Sequence, residues 1–416
     1  MVSIPVVSDA HPLSKTLYGK VIFVLLGLVL LASTARLSGF TLEGTPNTSP
    51  IDFHAFYVAA QLVWRGNIEQ AYHVAYMARF FADHTGHEAI IPWSYPVQYN
   101  LVVAPFSLLP PTPAYVAFIT LTLAAYLATL RRLAGPNLTL VLLSTFPAVI
   151  ITILSGQNGF LTGTLVGLAC IGLLRSRGSA GLPLGLMVIK PHLVVGVALY
   201  TVAGRRWRTV IVAALVIAIT SAVTTALLGT PIWAAFLGGL QETRVYLEAG
   251  LYPLHRMVSP YAAIRSLGAS ASVAFILHTA AALFSLAVLL LAIRNKMSPT
   301  QQLGLAVVAG LLISPYAYDY DLPIYGLGLA LVLPDVLRLA SEREQAAIFG
   351  LSFFTSALGL ANYTALALLD SSPGPVRQPS VAGITLFALV VLIWRILRRD
   401  SPLVNARSEN LALTDC

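Results

Sequence analysis

Apolar stretches of about 17 to 25 residues recur along the whole of this 416-residue chain, each long enough to cross roughly 30 Å of hydrocarbon at a rise of about 1.5 Å per residue. Hydrophobic residues make up 57% of the sequence and charged residues 10%, whereas a soluble domain carries about a quarter charged residues. Only a lipid-facing surface tolerates that balance. The pattern predicts an all-α polytopic membrane protein and discards soluble multi-domain readings.

Apolar runs bounded by Gly, Pro and charged residues place ten crossings, at 19–35, 113–130, 138–154, 159–174, 209–228, 271–293, 300–313, 322–339, 346–368 and 381–397. Two further pieces are too short to cross: 97–109, and a pair of half-helices at 181–189 and 193–203 separated by Lys190 and Pro191. Both read as re-entrant. The first run lacks a small-residue cleavage site and reads as a retained helix. Cys170 lies inside an apolar run and Cys416 is the last residue, so this pair supports no disulfide framework.

A net charge of +8 suggests nucleic acid in a soluble protein, so the placement of the charge matters more than its sum. Most of the lysines and arginines, from Lys15 and Lys20 through Arg131, Arg132, Arg205, Arg206 and Arg208 to Arg398 and Arg399, fall on one face under this division. Positive residues mark the cytoplasmic side. Making 97–109 a full span would move Arg131 and Arg132 outside and break the alternation. Residues 1–400 then form one transmembrane domain with both termini inside, 401–416 form a cytoplasmic tail, and the hydrophilic segments 36–96 and 229–270 face outward. The expected location is a bacterial inner (plasma) membrane. Segments 53–65, 71–83 and 232–247 read as amphipathic helices on the outer membrane surface.

Chemistry is therefore sought on the outer side. Asp52 opens IDFHAFYVAAQLVWRGN, where unpaired backbone N–H groups and the helix dipole favour negative charge. A carboxylate there is placed to take a proton from a sugar hydroxyl, and the plain alternative is an N-cap that only starts the helix. Tyr95, Gln98 and Tyr99 follow in a proline-bracketed half-span, where broken backbone needs protein or a water-filled cavity around it; interfacial anchoring is the alternative for the tyrosines. In SGQNG, 155–159, the side-chain amides of Gln157 and Asn158 can donate to a phosphate or sugar, or simply make a polar turn. Lys190 and His192 sit where the two half-helices meet. A lysine at that depth is expensive; a substrate phosphate is its counter-charge on one reading, and on the other it snorkels to the interface or pairs with a structural carboxylate. Asp319 and Asp321 stand in SPYAYDYD, 314–321, and Arg244, His255, Arg256 and Arg265 in the outer loop are further phosphate contacts to consider. No P-loop, GxGxxG, HExxH, CxxC or GxSxG motif is present, so no nucleotide-driven engine is visible.

In order and spacing, several of these segments resemble the membrane glycosyltransferases of family 87, of the GT-C superfamily. The segments are Asp52-Phe53-His54-Ala55-Phe56-Tyr57 with Gly66 and Ala71-Tyr72; Tyr95-Pro96 with APFSLLP; Gly156-Gln157-Asn158; AGLPLGLMVIKPHL with GRRWR; and Ser314-Pro315 with Asp319. The resemblance implies a GT-C-like bundle and an inverting hexosyltransferase. Its donor would be a polyprenyl-phosphate sugar, as in the family's polyprenyl-phosphate-mannose-dependent α-mannosyltransferases. Transfer would be to a lipid or glycan acceptor at the outer face. By motif, Asp52 takes the place of the general base. Mannosyltransferase members carry two histidines after the aspartate matching Asp319, where this chain has Tyr320 and Asp321.

A polyprenyl phosphate is already a leaving group, so such an enzyme needs a base and cations but no nucleotide or other cofactor; a divalent metal stays open. Asp52 would be the base, and Lys190 with Gln157, Asn158 and Arg256 would hold the phosphate. The expected partners are the lipid-linked donor, the acceptor and membrane lipids, without nucleic acid. A secondary transporter or flippase of a lipid-linked or small anionic solute is the alternative, because broken helices and a buried cation serve transporters too. A non-catalytic export subunit is a third reading.

Overall fold

The structure, a computed structural model, describes residues 17–38, 52–86, 91–368 and 379–400. The expected tail at 401–416, Lys15, and 39–51 and 87–90 of the outer segment lie outside the described residues. In chain order the helices are α1 (Leu17–Leu37), α2 (Phe53–Trp64), α3 (Val74–Thr85), α4 (Tyr99–Val103), α5 (Pro111–Ala134), α6 (Leu138–Ser155), α7 (Gly159–Leu174), α8 (Gly181–Leu186) and α9 (Val195–Ala203). They continue with α10 (Trp207–Leu228), α11 (Pro231–Glu248), α12 (Pro260–Ser266), α13 (Ala271–Arg294), α14 (Pro299–Ile313), α15 (Pro323–Leu339), α16 (Glu342–Leu368) and α17 (Ala382–Leu397). Every one of the ten apolar runs is a helix, with ends moved by a few residues.

By length and composition, four stretches among the described residues qualify to cross a membrane: Pro111–Ser155, Trp207–Leu228, Ala271–Arg294 and Glu342–Ala365. The first of these is α5 and α6 joined through a 3₁₀ turn at Gly135–Asn137. The chain is a helical membrane protein. The count of ten rests on the sequence pattern, because the four stretches take in α5, α6, α10, α13 and α16 while α1, α7, α14, α15 and α17 do not qualify.

Burial separates an inner layer from a lipid-facing one. α14 and α15 are buried along almost their whole lengths and pack on one another. α10 instead exposes Ile211, Leu215, Ile219, Val223 and Leu227, and α13 exposes Ile276, Leu277, Leu283 and Leu290. An exposed apolar ridge of this kind is stable against hydrocarbon, where no hydrophobic penalty attaches to it. The two expected short pieces are indeed broken: Tyr99–Val103 passes into a 3₁₀ segment Ala104–Leu108, and α8 and α9 are interrupted by 3₁₀ turns on either side of Lys190. Proline at 191 removes the N–H that a continuous helix would need there.

One expectation is corrected. α2 is not a surface helix: Phe53, Ala55, Phe56, Tyr57, Val58, Ala59, Ala60 and Leu62 are buried, and it packs on α4, the 104–108 segment and α5. FHAFYVAAQLVW carries only His54 and Gln61 as polar side chains, too few to supply a wet face. α3 and α11 do keep one buried stripe each, Val74, Met77 and Phe81 on the first and Ile232, Gly239, Thr243 and Leu247 on the second. Glu242 of α11 ties them together, accepting from the backbone N–H of Val74 at 2.9 Å.

Candidate active site

Two loops far apart in sequence are zipped together to make the site. Met257 and Tyr318 form an isolated antiparallel bridge, Val258 N–H donates to the Ala317 carbonyl at 2.8 Å, and Ser259 Oγ donates to the Pro315 carbonyl at 2.8 Å. Ser259 Oγ also accepts from Ala262 N–H, which starts α12. From the other side, Asn362 Nδ2 of α16 donates to the His255 carbonyl and Ser380 Oγ donates to the Met257 carbonyl. Arg256 is thereby held on a fixed backbone beside the 3₁₀ turn Asp319–Asp321.

A chain of charges results. Arg256 donates through Nε and Nη2 to the two carboxylate oxygens of Asp319, each at 3.2 Å, and through Nη1 to Asp52 Oδ2 at 3.0 Å. Lys190 Nζ donates to Asp321 Oδ1 at 2.8 Å. Backbone donors of the turn add to these bonds, Tyr320 N–H donating to Asp319 Oδ1 and Tyr318 N–H to Asp321 Oδ2. The side chains of Asp319 and Asp321 are 2% and 0% exposed, whereas that of Asp52 is 33% exposed. Asp52 is thus the one of the three carboxylates that reaches solvent or substrate.

The sequence reasoning for Asp52 is corrected in one respect. Its side chain makes no capping hydrogen bond to α2; its partners are Arg256 and, at 3.4 Å, Gln157 Nε2. Asp52 keeps its place at the start of α2, and its charge is also balanced by a guanidinium. Lys190 likewise has a carboxylate counter-charge, Asp321.

The SGQNG turn serves both sides of the site. Gln157 Oε1 accepts from Tyr95 Oη at 3.2 Å while its amide faces Asp52. Gly159, at the start of α7, lies against the Tyr320 carbonyl so closely that a Cβ there would sit 1.7 Å from the oxygen. No residue but glycine fits.

Asp52, Gln157, Lys190, His192, Arg256 and Tyr95 all line one cavity of about 380 Å³, with Tyr320, Trp93 and Tyr252 in its walls. That volume lies in the range of small-molecule sites. His192 has a buried Nε2 without a hydrogen-bond partner among the described residues. Burial works against the Arg256 charge, but the pull of Asp319 and then of Asp52 outweighs it and holds the guanidinium above its ordinary value. Burial also raises the Asp319 carboxyl above its ordinary value, against the opposing pull of Arg256. At His255, burial and the neighbouring Arg256 charge bring the imidazole down to about 4. No group of three or more His, Cys, Asp or Glu side chains suited to a metal occurs among the described residues.

Other candidates fall elsewhere. Gln98 turns away to donate to Ser221 Oγ of α10 at 2.9 Å, and Asn158 is fully buried behind the turn. Arg244 is exposed and paired with Glu248, while Arg265 donates to the Ala269 and Glu248 carbonyls. Two contributors were not foreseen. Tyr320 presents its ring to both cations, with Lys190 Nζ 4.8 Å and Arg256 Cζ 5.6 Å from the ring centre. Gly359 of α16 makes room for Asp319, since a Cβ there would lie 2.5 Å from Asp319 Cβ and Oδ2. The aromatic run in SPYAYDYD was the available signal for the first; nothing local signals the second.

None of the curated proteins and no solved structure matches the chain. The family model of glycosyltransferase family 87 matches residues 93–315, more than half of the sequence. That stretch contains Tyr95, Gln157, Lys190, His192 and Arg256, while Asp52, Asp319 and Asp321, which the structure folds against it, lie outside. The chain belongs to glycosyltransferase family 87.

Proposed function

We propose that this glycosyltransferase moves a hexose, mannose by resemblance, from a polyprenyl-phosphate donor to a hydroxyl of a lipid or glycan acceptor at the outer face of the membrane. Ten crossings with both termini inside put the 229–270 segment, and with it Arg256, on that face. The observation that carries the reading is that Asp52, a third exposed, opens with Arg256 and Lys190 onto one cavity.

In this mechanism Asp52 accepts the proton of the acceptor hydroxyl as the acceptor oxygen bonds to the anomeric carbon. The bond from that carbon to the phosphate oxygen breaks on the opposite side, so the configuration inverts. The electron pair leaves with the phosphate, whose developing charge is met by Arg256 and Lys190. Because Arg256 already contacts Asp52, the incoming phosphate competes for the guanidinium, and drawing it away releases the carboxylate for the acceptor. His192 and the Gln157 amide supply hydrogen bonds at the cavity wall. A polyprenyl phosphate needs no nucleotide site and no cofactor to depart.

The test is Asp52→Asn, which keeps size and removes the base. Purified protein in proteoliposomes, given polyprenyl-phosphate [14C]mannose and a membrane lipid extract as acceptor, should lose at least about 10²-fold in transfer rate. Turnover retained by a folded Asp52→Asn protein would remove Asp52 from the role of base.

A further inference from the structure

The two cations of the cavity share one aromatic ring. Lys190 Nζ lies 4.8 Å and Arg256 Cζ 5.6 Å from the centre of Tyr320, both within the distance at which a ring quadrupole attracts a cation, about 6 Å. The residues on either side of Tyr320 in sequence are the two carboxylates that pair with these cations, Asp319 with Arg256 and Asp321 with Lys190. A single turn of three residues therefore holds both positive groups.

We propose that Tyr320 is a positioning residue that fixes Lys190 and Arg256 as a preset pair for the phosphate of the lipid-linked donor. The proposal rests on reading the cavity as a phosphate site. A buried cation needs compensation, and a carboxylate that compensates it also neutralises it. Asp319 and Asp321 already balance Arg256 and Lys190, and a ring face adds a further attraction without adding a further negative charge. The ring itself is held from several sides. Tyr318 stacks on it at 5.1 Å with an interplanar angle of 3°, and the Tyr320 carbonyl is seated against Gly159. Its own N–H is taken by Asp319. Such over-determination suits a part whose orientation matters more than its chemistry.

The experiment replaces Tyr320 by phenylalanine and then by phenylalanines carrying one, two and three ring fluorines, which keep the ring's shape while draining its negative face. Affinity for polyprenyl phosphate is measured on the purified, detergent-solubilised full chain at one pH, with Tyr320→Leu as the variant that removes the ring. Tyr320→Phe should bind close to wild type. Each fluorine should weaken binding further, to about tenfold in all for the trifluorinated ring, the change that corresponds to about 1.4 kcal/mol. Tyr320→Leu, where folded, should weaken binding at least as much. Affinity independent of fluorination, in a wild-type protein that binds polyprenyl phosphate, overturns the proposal and leaves the proposed function standing. A wild-type protein that does not bind polyprenyl phosphate overturns both.

Discussion

Arg256 Nη1 stands 3.0 Å from Asp52 Oδ2 across 204 positions of sequence, while the same guanidinium holds both oxygens of Asp319. One side chain thus spans the exposed carboxylate and a fully buried one. Only a planar fork with several fixed donors can do this. Arg256→Lys keeps the charge but cannot reach both partners, and transfer should fall about 10²-fold with the melting temperature little changed. Arg256→Ala leaves two carboxylates without their common cation and should destabilise the protein by about 3–5 kcal/mol as well. Rates and thermal melts of the two purified variants separate these effects.

Asp319 gives the pH dependence. Burial raises its carboxyl above the ordinary carboxylate range, even against Arg256. Between the unfolded value and this raised folded value the native state binds more protons than the unfolded state, so stability falls as pH rises through that window and is recovered on acidification. Protonation also removes one negative charge beside Arg256. Affinity for a polyprenyl-phosphate sugar, whose phosphodiester keeps one charge throughout, should therefore rise as pH falls through the same window. Asp319→Asn should flatten both trends, measured by thermal melts and by donor binding across the pH range. A pH profile identical to wild type in Asp319→Asn would assign the titration to another group.

Gly159 tests the seating of the aspartate turn. A Cβ added there meets the Tyr320 carbonyl at 1.7 Å, and the atom it meets is backbone that cannot rotate aside. Gly159→Ala must shift either α7 or the turn that carries both carboxylates. The expected cost is about 1–3 kcal/mol of stability, with donor affinity reduced because Lys190 and Arg256 move with their partners. As a control, Gly238→Ala on α11 meets nothing within 4 Å and should leave donor affinity unchanged while raising stability by about 0.5–1 kcal/mol.

The long helices of this protein were legible in its sequence because hydrocarbon imposes a minimum length and forbids unpaired backbone, so apolar runs mark helices to within a few residues at each end. The Lys190-Pro191 break was legible for the same reason. α2 was misplaced because its few polar residues suggested a wet face, whereas Phe53 and Phe56 pack inward against Phe118. The partners of the charges were not legible. Asp52 and Arg256, Lys190 and Asp321, and Gly159 and Tyr320 are brought together by α6, α7 and α15 packing on the Asp319–Asp321 turn and α12 and α16 packing on the Arg256 segment, a relation that no local pattern encodes. Charge bookkeeping narrowed it only to the statement that a lysine at such depth needs an anion.

Membrane topology is the last point open to a direct test, and it decides which compartment supplies the substrates. α13 runs 24 residues from Ala271 to Arg294, about 36 Å at helical rise, so Leu267 before it and Arg294 at its end belong on opposite sides if it crosses. Both are exposed. In a background with Cys170 and Cys416 replaced by alanine, Leu267→Cys should react with a membrane-impermeant maleimide in intact cells, and Arg294→Cys only after permeabilisation. Arg132→Cys, at the exposed end of α5, examines the re-entrant segment specifically. If 97–109 turns back without crossing, position 132 lies inside with the other arginines and is protected until the membrane is opened. Labelling of Arg132→Cys from outside would mean that the segment completes a crossing, and the charge rule would then have to be abandoned for this chain.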